Sequence, residues 1–225
     1  MKIMRQVGNL VFVLALVMSA ISCRHNYSIE GSIDLYGFEG ENLYLVAHEH
    51  GEFIVIDSCC VKHGHFRMTG SADSTIFSVL AHGYEPLMPL VLENGHINVS
   101  ISPSALMAEG TRYNNQLYDF LEKKNEIDNR FEDIIQRSQQ DIFNQMNLNY
   151  EDSLNSVVEE AENCIYDFIR KHYDDPLGVS VFLMMCNGSS LQEPTPLVRR
   201  VIDDAPKKFL SNYKVKEYLH NIEML

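Results

Sequence analysis

The sequence predicts an α+β protein in which an antiparallel β-sandwich of about seven strands precedes an α-helical region. Two observations predict this order. From residue 27 to about residue 101, short alternating apolar segments are separated by turn-forming residues at close, regular intervals, which is typical of a sandwich. After Pro103, apolar residues recur with a period of about 3.6, which is typical of amphipathic helices.

The predicted strands alternate apolar and polar residues, so one face of each is expected to point into a core. They cover residues 27–34, 42–48, 53–59, 65–69, 76–81, 87–92 and 96–101. Turns that contain glycine lie between them, and Glu93-Asn94-Gly95 is the strongest hairpin signal among these turns. Residues 54–70 form the clearest pair of strands joined by a tight turn.

Two long amphipathic helices follow the predicted sandwich. Thr111 is expected to cap the first helix, whose apolar residues fall on one broad face as far as Phe143. The second helix covers residues 151–173 with the same spacing. Each apolar face needs a partner surface, and the simplest partner is the other helix.

Shorter helical segments are predicted in the C-terminal part of the chain. Asp175-Pro176 places an aspartate at a helix cap and a proline in the first turn. Residues 177–186 after this restart are apolar all round, which predicts a buried helix. Thr195-Pro196 opens another short helix, and residues 215–222 carry a last amphipathic turn or two.

The N-terminus reads as a targeting segment. A charged start with Lys2 and Arg5, an apolar run over residues 10–20 and small residues after it are typical of a secretory signal. The run is shorter than the roughly 18 to 20 apolar residues that span a membrane. Its end, Ser19-Ala20-Ile21-Ser22-Cys23, resembles the lipobox of bacterial lipoproteins, with Ala20 where that family most often has leucine.

The lipobox resemblance implies that the signal is removed before Cys23 and that Cys23 is acylated. The protein is then expected to be anchored by lipid to a membrane of the bacterial cell envelope and to face the periplasm. The alternative is an ordinary secretory signal that contains a cysteine. The predicted organisation is a signal peptide (1–22), a lipid-anchored linker (23–26), a β-sandwich module (27–110) and an α-helical region (111–225).

The charge balance excludes one class of partner. The formal net charge is -13 at pH 7, from 18 basic and 31 acidic residues. Nucleic-acid binding requires a basic footprint, which this chain does not offer. The acidic residues are spread over helix faces and are interpreted as solvated surface.

The cysteines are the first candidates for chemistry, and the chain contains five of them. Cys59 and Cys60 are neighbours in a predicted strand, so their side chains are expected to point to opposite faces, one buried and one half exposed. A redox pair formed by Cys59 and Cys60 is the competing interpretation. Cys164 and Cys186 lie on consecutive helical segments and either form an interhelix disulfide or remain buried free thiols.

The histidines do not predict a metal site. His48-x-His50 and His63-x-His65 each place two imidazoles on one face of a strand, as a metal requires. The two pairs lie at opposite ends of one strand, about 30 Å apart at about 3.3 Å for each residue, so a joint site is not expected. We interpret them as polar turns, and no cofactor is predicted. Motifs of serine hydrolases, zinc proteases, phosphate-binding loops and EF-hands are absent from the sequence.

The β-rich half resembles a known envelope module, the uncharacterised domain that precedes a thioredoxin-like domain in Gram-negative thiol:disulfide interchange lipoproteins. The resemblance covers residues 27–121 and is carried by these motifs: Tyr27-x-Ile29-x-Gly31, Leu43-Tyr44-Leu45, Ile56-Asp57-Ser58-x-x-Val61-x-x-Gly64-x-Phe66-x-x-x-Gly70, Leu92-Glu93-Asn94-Gly95-x-Ile97-x-Val99 and Gly110-Thr111-x-x-Asn114. The helical half is similar, more loosely, to the linker helices of that family through Phe168-Ile169-x-x-His172-x-x-Asp175-Pro176. The sequence contains no Cys-x-x-Cys, so the redox activity does not carry over.

Three functions are compatible with the sequence. The main hypothesis is a non-enzymatic envelope lipoprotein that binds or positions an unknown envelope protein. A second hypothesis is a split or degenerate thiol:disulfide interchange protein that uses Cys59 and Cys60. The third is a periplasmic carrier of a small ligand, with a groove lined by aromatic residues, namely Tyr36, Phe38, Phe53, Phe66, Phe77 and Tyr84.

Overall fold

The computed structural model describes residues 26–49, 52–144, 148–186 and 194–222, without the side chain of Cys186. It confirms the predicted fold class, because two four-stranded, mostly antiparallel sheets precede six helices in the described residues. The strands are β1 (Asn26–Ile33), β2 (Asn42–Glu49), β3 (Glu52–Cys60), β4 (His65–Ser71), β5 (Ile76–His82), β6 (Glu85–Leu92), β7 (Gly95–Ile101) and β8 (Leu106–Glu109). The helices are α1 (Arg112–Phe143), α2 (Glu151–Lys171), α3 (Pro176–Cys186), α4 (Pro196–Asp204), α5 (Lys207–Leu210) and α6 (Tyr213–Asn221).

The strand order differs from a simple meander. Sheet A has the order β4-β1-β7-β8, and sheet B has the order β3-β2-β5-β6. Strands β1 and β7 are parallel, with Tyr27 opposite Gly95 and Ile33 opposite Ile101, so the predicted antiparallel sandwich contains a parallel pair. Local alternation could not reveal it, because parallel and antiparallel neighbours use the same period of two.

Two predicted hairpins are connections between the sheets. Glu93-Asn94-Gly95 joins β6 in sheet B to β7 in sheet A, where β7 is already paired on both sides by β1 and β8. Residues 54–70 likewise contain β3 of sheet B and β4 of sheet A, joined by a turn with a single bridge between Lys62 and His65. Glycine at a corner permits positive φ in either kind of connection, so the residue types alone did not distinguish them.

Strand β8 was not predicted. It has four residues, of which only Ala108 is buried, so it offers almost no alternation to detect. A turn whose Ser102 hydroxyl accepts a hydrogen bond from the Ala105 amide at 3.1 Å returns the chain from β7 to β8. The strand is therefore defined by its pairing with β7 rather than by its own sequence pattern.

Two glycine–aromatic pairs hold β1 against β4. The antiparallel register places Tyr27 opposite Gly70 and Gly31 opposite Phe66. A Cβ atom added to Gly31 would lie 2.2 Å from the Phe66 ring, and one added to Gly70 would lie 2.5 Å from the Tyr27 hydroxyl. Each strand therefore contributes one aromatic ring and one glycine on which the ring of the other strand packs. This packing explains the glycines and aromatic residues in two of the motifs that carry the resemblance.

The core is continuous from the sandwich into the helices. Inner-face residues of both sheets and apolar residues of α1, α2 and α3 belong to one buried cluster. Contacts between α3 and β5, and a hydrogen bond of 2.7 Å from the Lys214 ammonium of α6 to the His48 carbonyl, place the helical region against sheet B. In the described residues, no helix is long and apolar enough to cross a membrane.

The helical pairing follows the sequence prediction. Helices α1 and α2 pack on each other, with Phe120 stacked on Phe168 at 4.4 Å between ring centroids and Arg130 paired with Glu160 at 2.6 Å. The apolar helix α3 is buried as predicted, for instance at Phe182.

The Asp175 carboxylate stabilises the connection between α2 and α3. One of its oxygens accepts the Leu177 amide at 3.0 Å, and the other lies 2.7 Å from Nδ1 of buried His172. A Cβ atom on Gly178 would lie 2.1 Å from the His172 carbonyl oxygen, so only glycine fits at that position. The His172-x-x-Asp175-Pro176 motif therefore holds the connection between α2 and α3 in one conformation.

Candidate interaction edge

The sandwich has two sides at which sheet edges are open to pairing. Edge strands β6 and β8 lie under α1, which contacts both of them. The opposite side carries edge strands β3 and β4. The contrast between these two sides defines the candidate functional surface.

Helix α1 supplies side chains that hydrogen-bond the outer edge of β6 at Val91 and Pro89. The Asn114 amide oxygen accepts the Val91 N–H at 2.9 Å, and its amide nitrogen donates to the Val91 carbonyl at 2.7 Å. One helical turn later, the Tyr118 hydroxyl donates to the Pro89 carbonyl at 2.9 Å, and proline has no N–H to satisfy. Asn114 thus takes the place of a neighbouring strand.

The start of α1 is fixed by Glu93, which corrects the predicted role of Thr111. The Glu93 carboxylate accepts the amides of Tyr113 at 2.6 Å and Asn114 at 3.2 Å. Thr111 occupies the cap position, but its hydroxyl accepts a hydrogen bond from the Asn114 side chain instead of a helix amide. The interaction between corner and helix is non-local, so local spacing could not predict it.

The edge of β3 carries exposed apolar side chains. Phe53, Ile54 and Val55 are 80%, 45% and 57% exposed, and in the described residues β3 pairs with β2 alone. Natural edge strands usually carry charged residues, proline or a covering element that prevents further pairing. In β3 the register shift next to Val55 provides a bulge, but residues 52–55 keep an open, largely apolar edge.

Acidic residues flank this apolar edge. Glu52 begins β3 and lies directly opposite Glu49 of β2 in the ladder. Like charges directly opposite each other destabilise a strand pair. Neither carboxylate forms an ion pair within the described part of the chain.

The outer face of sheet A is polar. It forms a broad, open concavity of about 950 Å³ in which Glu30 of β1 lies 3.3 Å from Arg67 and 3.8 Å from His96. A sheet face of charged and hydroxyl side chains is the ordinary solvated side of an antiparallel sheet. The polar lining of this concavity contrasts with the apolar side chains at the edge of β3.

The cysteines lie in separate surroundings. Cys59 and Cys60 are free and half buried; Cys59 packs against the core, and Cys60 lines the concavity of sheet A. This corrects the expectation that one of the two is buried and the other half exposed. Burial raises the pKa of the Cys59 thiol, which disfavours the nucleophilic thiolate.

Of the other cysteines, the structure describes only the side chain of Cys164. Burial raises the pKa of the free Cys164 thiol as well. The side chain of Cys186 lies outside the described residues, so an interhelix disulfide stays a prediction. Cys23 also lies outside them, and its lipidation likewise stays a prediction.

Only the second of the two histidine pairs lies wholly in the described residues, and its members are not on one strand. His48 packs against Phe53 at 5.1 Å between ring centroids, and His50 lies outside the described residues. His63 adopts a turn conformation with φ 53°, whereas His65 begins β4. No group of three or more histidine, cysteine or acidic side chains suited to a metal occurs in the described ranges.

The aromatic residues considered for a ligand groove are scattered. Phe66 is buried in the core, and Phe38 and Phe77 pack against it. Tyr36 and Tyr84 are fully exposed in the β1–β2 and β5–β6 connections, whereas Phe53 lies at the start of β3. These six aromatic residues therefore do not line a common groove in the structure.

One comparison with known proteins finds a family model that matches the β-rich half of the chain. Residues 27–117 match the family model of a domain of unknown function, DUF4369. No curated protein and no solved structure matches the chain. The DUF4369 match covers the eight described strands except for Asn26, the first residue of β1, and ends at Leu117, beyond the predicted boundary at residue 110. Asn114, which closes the β6 edge, lies inside the match, and the Gly110-Thr111-x-x-Asn114 motif was its signal in the sequence.

Proposed function

We propose that the protein is a non-enzymatic, lipid-anchored protein of the bacterial cell envelope whose DUF4369-type sandwich binds or positions another envelope protein through the edge of β3. The observation that supports this most directly is the contrast between the two sides of the sandwich. Asn114 and Tyr118 satisfy the β6 edge, whereas β3 presents Phe53, Ile54 and Val55 to solvent.

Burial of this edge gives a partner substantial binding energy. Complete burial of one large apolar side chain contributes about 1.5 to 3 kcal/mol, and these three are already partly covered. Backbone groups of an open edge add hydrogen bonds when another strand pairs with them. A small apolar edge of this kind is sufficient for a specific but modest interaction.

A thioredoxin-like protein of the envelope is the partner class that the motif resemblance supports. In the resembling lipoproteins the β-rich module and the thioredoxin-like domain belong to one chain, and this sequence contains no Cys-x-x-Cys. By this proposal the partner performs the redox step, and this protein supplies membrane attachment and position.

The membrane address depends on Cys23. We expect the full chain to incorporate a radiolabelled fatty acid and to fractionate with membranes, and the Cys23→Ser variant to lose both properties. Retention of label by the variant would contradict lipidation at this residue. Release of unlabelled wild-type protein into the periplasm would favour the ordinary secretory signal.

Affinity capture from solubilised membranes tests the binding role. The full chain with its anchor intact is expected to retain a defined envelope protein that a Val55→Lys variant loses. Tyr84→Lys is the matched control, because Tyr84 is fully exposed at the β5–β6 turn and remote from residues 52–55 along the sheet. Equal recovery by both variants would contradict a role for the β3 edge.

A further inference from the structure

The β3 edge combines two features that restrict what binds there. The first is a strand edge with the apolar residues Phe53, Ile54 and Val55 and no neighbouring strand in the described part of the chain. The second is the cross-strand pair Glu49 and Glu52, two acidic residues that lie directly opposite each other in the ladder and form no ion pair among the described residues.

An extended segment suits the first feature better than a helix or a flat surface. A strand edge offers backbone donors and acceptors in a line, and a partner in β conformation satisfies them while its alternate side chains contact the apolar residues. The edge is short, because the register shift beside Val55 interrupts its regular pairing with β2. A segment of a few residues is therefore the expected length of the partner strand.

The second feature specifies the charge of the segment. A lysine or arginine beside Glu52 relieves the repulsion between Glu52 and Glu49, since opposite charges on neighbouring strands stabilise a ladder. A second copy of this chain does not meet this need. Antiparallel self-pairing centred on Ile54 would bring two Glu49–Glu52 pairs into one sheet, and each copy carries a formal net charge of -13.

We infer that the edge of β3 takes up an extended segment of the partner by strand addition, and that this segment has an apolar centre and a basic residue at its end. The inference rests on the proposed function and names the recognition chemistry of the same edge. The partner strand extends sheet B beyond β3, and its basic residue neutralises the Glu49–Glu52 pair.

Short blocked peptides are the probes. One alternates valine and threonine with a lysine at each end, and a second carries glutamate at the ends. A third is the lysine peptide with every second backbone amide N-methylated, so that one edge of the peptide in β conformation has no N–H donors. Fluorescence anisotropy against the full chain in detergent micelles is expected to show that the lysine peptide binds about tenfold more tightly than the glutamate peptide. Binding of the N-methylated peptide is expected to be lost.

Charge reversal on the protein provides the matched test. A variant with Glu49→Lys and Glu52→Lys is expected to prefer the glutamate peptide, whereas Glu109→Lys, at an exposed position of β8, is expected to behave as the wild type. Circular dichroism melts establish that all variants fold.

Each contrary result is informative. Equal affinity for the lysine and glutamate peptides would contradict recognition of a basic residue. Equal affinity for the lysine peptide and its N-methylated form would contradict strand addition. Failure of all peptides, while Val55→Lys still abolishes partner capture, would overturn this inference and leave the proposed function intact. A cross-link between two copies through β3 would assign the edge to self-association instead.

Discussion

At the scale of residues, the reciprocal packing of Tyr27 on Gly70 and Phe66 on Gly31 fixes the position of β1 in sheet A. Each glycine lies under a ring, where an added Cβ has no room. The same Tyr27 hydroxyl donates a hydrogen bond of 2.8 Å to Asp57 of β3 and so links the two sheets. Glycine in these strands is required by the close approach of a ring.

The first prediction is that Gly31→Ala lowers the free energy of unfolding by about 1 to 3 kcal/mol, because the new Cβ overlaps the Phe66 ring. Urea denaturation measures the change. Ser32→Ala, on the opposite face of β1, is the control and is expected to change stability by less than about 0.5 kcal/mol.

A double-mutant cycle identifies the cause of that loss. Adding Phe66→Leu to Gly31→Ala is expected to cost less than the sum of the two single changes, because the smaller side chain makes room for the Cβ. Strict additivity would contradict direct packing of Phe66 on Gly31.

The second prediction concerns alkaline stability. Burial, followed by the hydrogen bond to Asp57 and the charge of that carboxylate, raises the pKa of Tyr27 to about 12. The unfolded value is about 10, so the neutral phenol favours the folded state. This contribution is present below about pH 10 and is lost as the pH rises to about 12.

Urea midpoints measured from pH 9 to 12 check it. Tyr27→Phe is expected to reduce the loss of stability in that range without abolishing it, because burial also raises the pKa values of Tyr118 and Tyr173. Tyr84→Phe, at a fully exposed position, is expected to leave the profile unchanged. An identical profile for Tyr27→Phe and wild type would contradict the linkage.

At the scale of elements, the first turns of α1 act as the missing neighbour of β6. Asn114 is completely buried and makes both hydrogen bonds of Val91 that a strand would make. Glu93 at the end of β6 holds the beginning of the helix in place. The helix and the edge strand therefore depend on each other.

The third prediction is that Asn114→Ala destabilises the fold by several kcal/mol. Each buried backbone group left unpaired costs about 1 to 3 kcal/mol, and the change leaves two such groups at Val91. Chemical denaturation measures the loss. Asn115→Ala is the control, since Asn115 is exposed and water replaces its hydrogen bond to Gly110. A similar loss for both variants would exclude a special role for Asn114.

The fourth prediction compares the two edges of sheet B by hydrogen exchange. The Val91 amide is expected to exchange slowly despite its edge position, because Asn114 accepts its hydrogen bond. Amides of residues 52–55 that point away from β2 are expected to exchange rapidly. In Asn114→Ala the Val91 amide should join the fast group. Slow exchange along the whole of β3 in the isolated protein would mean that this edge is covered.

At the scale of the whole molecule, a sandwich with one closed side and one open side is tethered, by our proposal, through the segment that precedes β1. The helical region packs against sheet B and shares its core, so it is a structural part of the described protein. Phe53, Ile54 and Val55 are among the exposed large apolar residues of the described chain, and they lie together on the edge strand β3.

The sequence predicted what depends on local periodicity and could not predict what depends on pairing. Alternation located seven of the eight strands, and the 3.6-residue period located the long helices. It could not show that Glu93-Asn94-Gly95 crosses between sheets, because β7 is held by distant β1. The candidate edge was hidden for the same reason. In the sequence, Phe53, Ile54 and Val55 cannot be distinguished from the apolar residues of other strands. Only the strand order shows that β3 lies at the edge of its sheet.

Site-specific photo-cross-linking in intact membranes tests the central claim most directly. A photoreactive residue placed at Val55 of the full chain is expected to give one covalent adduct with an envelope protein, whereas the same residue at fully exposed Tyr36 gives none. Mass spectrometry of the adduct is expected to locate the link in an extended segment of the partner. Equal, diffuse labelling from both positions, or no adduct from Val55, would contradict the claim that the β3 edge is a binding surface.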